Sequence, residues 1–158
     1  MKVIFLDIDG VLNSVDWAKR NASKDKVGFM SMFDRHAGQI DPDALWRLIK
    51  IVNKTDAKIV ISSTWRLLHS ISEIDSIFQD LGWLGGAPII GRTPSLNNAP
   101  RGLEIHTWLQ DNPHVSKFII IDDDSDMLDD QMDNFVHTSW EHGLLDSHVD
   151  KAIGILNG

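Results

Sequence analysis

Three short apolar runs of this chain end in side chains able to do chemistry. Val3-Ile4-Phe5-Leu6 leads into Asp7-Ile8-Asp9-Gly10, and Lys58-Ile59-Val60-Ile61 leads into Ser62-Ser63-Thr64-Trp65-Arg66. Phe118-Ile119-Ile120-Ile121 leads into Asp122-Asp123-Asp124-Ser125-Asp126. Runs of this length and type read as strands buried on both faces. On an extended chain residues i and i+2 share a side, so Asp7 and Asp9 should project together, with Gly10 allowing a sharp turn behind them. The carboxyl ends of strands are where ligands sit in open α/β sheets. Two carboxylates this close both stay ionised only beside a cation or good donors. Hard oxygen ligands in a chain without cysteine suggest Mg²⁺. A bare Asp-x-Asp is also compatible with a plain acidic turn. Small hydroxyls at a strand end suit a phosphate, although capping of a following helix explains them equally. The acids of 122–126 cannot all be buried unpaired, and Asp124 or Ser125 could cap a following helix.

The elements that must position these groups are also legible. Asp41 as N-cap and Pro42 in the first turn open a helix to about Lys54, with Ala44, Leu45, Leu48, Ile49 and Val52 at helical spacing. Ser70 and Glu73 form a capping-box pattern before the stripe Ile71, Ile74, Ile77, Phe78 and Leu81, which stops at Gly82. Gly85, Gly86 and Pro88 mark a turn before a short strand at Ile89-Ile90. A polar loop then delivers Arg101 to the start of a helix carrying Leu103, Ile105, Trp108 and Leu109, closed by Asn112-Pro113. A cation there opposes the helix dipole unless an anion is also bound. Phe135-Val136 reads as a last short strand, and residues 147–156 as a packing helix. Alternating strands and helices predict a parallel sheet with helices on both faces.

Residues 13–40 interrupt this rhythm. Lys19, Arg20, Lys24, Lys26 and Arg35 outnumber Asp16, Asp25 and Asp34, a local charge of +2 in a chain of -8. A long segment leaving the acidic turn is expected to hang over it as a lid or flap; a solvated loop is the plain alternative. At 158 residues and 42% apolar, the chain has the size of one domain with a real core. Its acidity disfavours indiscriminate binding to nucleic acid or membranes, while leaving room for a local basic patch. No apolar run approaches the ~18 residues of a membrane span. The N-terminus shows no signal-peptide pattern. The lack of cysteine excludes disulfides, a thiolate zinc site and a thiol nucleophile, and fits a reducing compartment, so a cytoplasmic location is expected.

Taken together and in order, FLDIDGVLN, IVISSTWR, Arg101 and FIIIDDDSD resemble the four motifs of the haloacid dehalogenase (HAD) superfamily of phosphatases, over residues 3–126. The D-x-D-G-V-L-N opening, the S-S-x-W-R stretch and the R-G-x-E-I helix look like the small HAD domains grouped with RNA-repair proteins. The resemblance implies a Rossmann-like α/β fold, one domain over 1–158, without a full cap. It implies that Asp7 is the nucleophile forming an aspartyl-phosphate and that Asp9 is general acid, then general base. Ser62 would donate to the phosphoryl oxygens and Arg101 would offset their charge. Mg²⁺ would be held by Asp7, Asp9 (through its backbone carbonyl), Asp122 and Asp123, with Asp126 an outer candidate. Substrate binding would fall to Gly10, Ser63, Trp65, Arg66, Lys19 and Arg20. Trp65 would stack on a base, unless it is plain core, and Arg66 would hold a second phosphate.

The expected function is Mg²⁺-dependent phosphomonoester hydrolysis, on a nucleotide or the terminal phosphate of an RNA or DNA end, since capless relatives tend to take large substrates. A catalytically inactive HAD-like binding or accessory module is the alternative from another class, and small metabolites or phosphoproteins are alternative substrates. A phospho-receiver domain would need an Asp where the middle strand meets Ser62, and a toprim nuclease a Glu where Asp7 stands.

Overall fold

The computed structural model describes residues 1–21 and 39–158. Five strands, β1 (Lys2–Leu6), β2 (Lys58–Ile61), β3 (Ile89–Arg92), β4 (Lys117–Asp122) and β5 (Phe135–His137), form one sheet in the order β3-β2-β1-β4-β5. Every pairing is parallel. The chain steps outward from β1 to β2 and β3, then returns to the other side of β1, so the strand order reverses at β1. The carboxyl end of a sheet at such a switch point is open, because successive crossovers leave in opposite directions.

Among the described residues five α-helices accompany the sheet: α1 (Val15–Asn21), α2 (Pro42–Thr55), α3 (Ile71–Asp80), α4 (Arg101–Asp111) and α5 (Asp146–Asn157). Alternation along β1 divides the core in two. Ile4 and Leu6 face Leu45 and Leu48 of α2, Ile77 and Phe78 of α3, and Val149 and Ala152 of α5. Val3 and Phe5 face the other way, with Ile105 and Trp108 of α4. Phe5 meets Trp108 and Phe118 edge to face. Helices thus cover both faces, as the alternating pattern requires.

The expected helix starts are present. Asp41 accepts the Asp43 N–H, and Ser70 and Glu73 exchange both capping-box bonds. Two expectations give way. The stretch 62–66 feeds a single 3₁₀ turn (Thr64–Leu67) rather than a longer helix, with Ser63 as its N-cap. No helix opens at Asp124 or Ser125; the next regular piece is a 3₁₀ turn at Asp129–Asn134. Within the 13–40 segment, α1 appears where no apolar stripe announced it, and it buries no residue. Its start is held from outside, by Val15 N–H to the Trp140 carbonyl (3.1 Å) and Asp16 N–H to that of Glu141 (3.1 Å). Lys24, Lys26 and Arg35 of the expected lid lie outside the described residues. Among the described residues no helix is long and apolar enough to cross a membrane.

Candidate active site

The ladder of the sheet runs on into the site. The Asp7 N–H donates to the Ile121 carbonyl (3.0 Å) and the Ser62 N–H to that of Leu6 (2.8 Å), so the ends of β1, β2 and β4 are held together. Asp7, Asp122 and Asp123 each present a carboxylate oxygen within 4.8 Å of the others. Asp7 and Asp122 are buried. Burial pushes the Asp7 carboxyl up to about 6, against the pull of Arg101 and a hydrogen bond from Ser63. Burial and the neighbouring Asp7 charge push Asp122 up to about 8. Asp123 is raised as well, chiefly by burial. Arg101 Nε stands 3.7 Å from Asp122 Oδ2, an atom with no hydrogen bond among the described residues. Crowded carboxylates, a buried orphan oxygen and an all-oxygen donor set fit a hard divalent cation such as Mg²⁺.

Asp9 does not join this group with its side chain. The chain turns after Ile8, and Asp9 accepts from Asn13 Nδ2 (2.7 Å) and, through both carboxylate oxygens, from the Trp65 indole N–H (3.2 Å). The two acids of the first motif therefore part company, Asp7 toward β4 and Asp9 toward Asn13 and Trp65. Gly10, at φ 75°, is buried rather than open to substrate. A Cβ there would lie 2.3 Å from Asp123 Cγ, so its missing side chain is the space Asp123 occupies. Its N–H donates to Asn13 Oδ1 (2.9 Å), and its carbonyl accepts from the Thr138 hydroxyl (2.8 Å).

At the end of β2, Ser62 is buried and its hydroxyl has no hydrogen-bond partner among the described residues. Ser63, expected to touch substrate, is fully buried, accepts from the Trp65 N–H (3.3 Å) and serves Asp7. Trp65, expected as a base-stacking surface, is only 2% exposed; it packs in the core and turns its N–H to Asp9. Arg66, expected to hold a second phosphate, is committed inward. It donates to the carbonyls of Ser63 (2.7 Å), Thr93 (3.1 Å) and Pro94 (3.2 Å), and to Glu104 Oε2 (2.9 Å). Burial pulls its pKa down while Glu104 holds it up.

Glu104 is the residue that the motif reading left without a role. Buried itself, it pairs with Arg66, stands 3.7 Å from Arg101 Nη1 and accepts the Leu96 N–H (3.0 Å). Its i, i+3 spacing from Arg101 was a usable signal; its partnership with Arg66 was not. Asn13 and Thr138 were likewise missed, and nothing in the sequence marks Thr138. The cation at the start of α4 has its anions: Asp122 and Glu104 flank the Arg101 side chain, and Asp126 Oδ2 accepts the Arg101 N–H (2.8 Å). Asp126 is thus an N-terminal acceptor for α4, not part of the acidic group. Lys19 and Arg20 lie exposed on α1; Arg20 is 3.6 Å from Asp41, and its guanidinium sits 5.7 Å over the Trp17 ring.

A five-stranded parallel sheet with helices on both faces, and an acidic centre where its strand order reverses, make a Rossmann-like α/β domain, the architecture expected of a HAD protein. More narrowly, residues 3–149 match the family described as the HAD domain in Swiss Army Knife RNA repair proteins, and the chain belongs to that family. It has no significant match among curated proteins or among solved structures. Membership of a HAD family implies a function of phosphatase type.

Proposed function

We propose that the chain is a Mg²⁺-dependent phosphomonoester hydrolase that works through an aspartyl-phosphate on Asp7 and acts on a phosphorylated RNA or DNA end. The observation that carries this reading is the convergence, at three adjoining strand ends and the start of α4, of Asp7, the Ser62 hydroxyl without a partner among the described residues, Arg101 and the Asp122–Asp123 pair. An Asp7 oxygen attacks phosphorus as the ester P–O bond breaks, and Asp9 gives its proton to the departing oxygen. Asp9 then takes a proton from a water that attacks the same phosphorus, which frees Asp7 and releases phosphate. The Ser62 hydroxyl donates to a phosphoryl oxygen, and Arg101 offsets charge on Asp7 and the phosphoryl group. When bound, Mg²⁺ would be held by Asp7, Asp122, Asp123 and the Asp9 carbonyl, and would supply further neutralisation of charge. Asn13 and Trp65 hold Asp9 in place through the hydrogen bonds already described.

The test is phosphate release from a terminally phosphorylated oligonucleotide and from a small aryl phosphate, with Mg²⁺ and with excess chelator. Asp7→Asn keeps the shape of the side chain and removes the nucleophile, so release should stop with the fold intact. Turnover near wild type in that variant, or full activity in chelator, overturns the reading. A higher kcat/KM for the aryl ester overturns the choice of a nucleic-acid end.

A further inference from the structure

A groove of about 390 Å³ opens beside Asp9. Asp9, Trp17, Lys19, Asn21, Gln39 and Trp140 are among its walls. Its walls come from two distant parts of the chain that are pinned together. Both backbone bonds from the start of α1 run to residues 140 and 141, and His142 Nδ1 meets Asp16 Oδ2 at 2.7 Å. The Trp17 N–H is in turn held by Ser14 Oγ (3.1 Å). The backbone that carries both indoles is therefore set before anything binds. Trp140 is 56% exposed, so its ring is open to a ligand in the groove.

The proposed chemistry says what should lie there. Asp9 must reach the oxygen that leaves phosphorus, so a groove lined by Asp9 is where the group carried by that oxygen can continue. Its size suits one nucleoside. Indole faces stack on any base, carboxamides such as Asn21 and Gln39 can pair with base or ribose edges, and Lys19 suits the next phosphate. An acyl chain would have no use for the amides or the cation. We infer that this groove is the leaving-group subsite, and that it takes the terminal nucleoside of a phosphorylated RNA with its base against Trp140. The inference rests on the phosphatase reading above and moves the stacking role from the buried Trp65 to Trp140.

The test compares one phosphorylated RNA with the same RNA made abasic at its terminal nucleotide. Intact RNA should show a kcat/KM about tenfold above the abasic one, the scale of one base–aromatic stack. Trp140→Ala should erase that ratio, and Trp140→Phe should restore most of it. Equal kcat/KM for the two RNAs in the wild type, or an unchanged ratio in Trp140→Ala, overturns the subsite. Affinities of the full-length Asp7→Asn protein for both RNAs, followed by tryptophan fluorescence, separate the two ideas. If the wild type hydrolyses neither RNA, the phosphatase reading fails. The subsite then stands or falls on whether intact RNA binds about tenfold tighter than abasic RNA.

Discussion

The Ser62 hydroxyl is buried without a hydrogen bond among the described residues, and such a group costs stability unless a ligand meets it. Ser62→Ala should therefore leave the free protein as stable as before or firmer by ~1 kcal/mol. The same change should lower kcat by about a hundredfold, the scale of one lost transition-state donor. Thermal melting and phosphate release on the same sample check the pair; a clear loss of stability would mean the hydroxyl is structural. Glu104 gives the opposite signature. Its removal strands Arg66, whose guanidinium is buried and bound to three carbonyls from two loops. Glu104→Ala should cost ~3–5 kcal/mol in denaturant unfolding, as expected for a buried ion pair broken on one side. A loss below about 1 kcal/mol would show that the carbonyls alone suffice for Arg66.

At the scale of elements, α4 is placed by contacts that admit no side chain at its second residue. A Cβ on Gly102 would lie 2.5 Å from the Leu128 nitrogen and 2.6 Å from Gln131 Oε1. Gln131 donates to the Gly102 carbonyl (2.9 Å), and the Gly102 N–H donates to the Asp126 carbonyl (3.1 Å). Gly102→Ala must push the start of α4 away from this loop, carrying Arg101 with it. A loss of roughly 2 kcal/mol together with reduced kcat is expected, measured by denaturant melts and steady-state kinetics. The start of α5 depends on pH instead. His148 Nδ1 accepts the Leu145 N–H (3.0 Å), and burial followed by the Lys151 charge holds its pKa below the ordinary value of 6.5. The unfolded chain takes up this proton first, so the contribution is present above 6.5 and is lost as pH falls from there through the lowered folded value. Melting temperatures near pH 7 and pH 5 should converge in His148→Gln relative to wild type.

At the scale of the whole molecule, the proposed metal site predicts that stability depends on a cation. Asp7 at about 6 and Asp122 at about 8 lie above their ordinary 3.8. Without metal the folded protein holds protons that the unfolded chain releases. The contribution of these two carboxyls should be fully present below pH ~4 and decline as pH rises toward ~8. On the proposed reading Mg²⁺ binds the ionised carboxylates, so its stabilising effect should be larger near pH 8 than near pH 5. Melts with and without Mg²⁺ at both pH values check this, and an equal shift at both would count against metal binding at these carboxylates.

What the sequence determined by itself was everything carried by short-range pattern. Buried parallel strands announce themselves as apolar runs, helix starts through Asp41-Pro42 and Ser70-Glu73, and the order of chemistry-bearing strand ends follows directly. Helix α1 escaped because a helix that buries nothing leaves no stripe to read. The orientation of side chains beyond the strand ends needed the folded molecule. Trp65 reaches across 56 positions to Asp9, Arg66 across 38 to Glu104, and Thr138 across 128 to Gly10. Whether an aromatic or a guanidinium turns inward depends on partners that only the sheet brings near. For the same reason the exposed indole that shares a groove with Asp9 is Trp140, from a loop far along the chain, and not the one written beside Ser62.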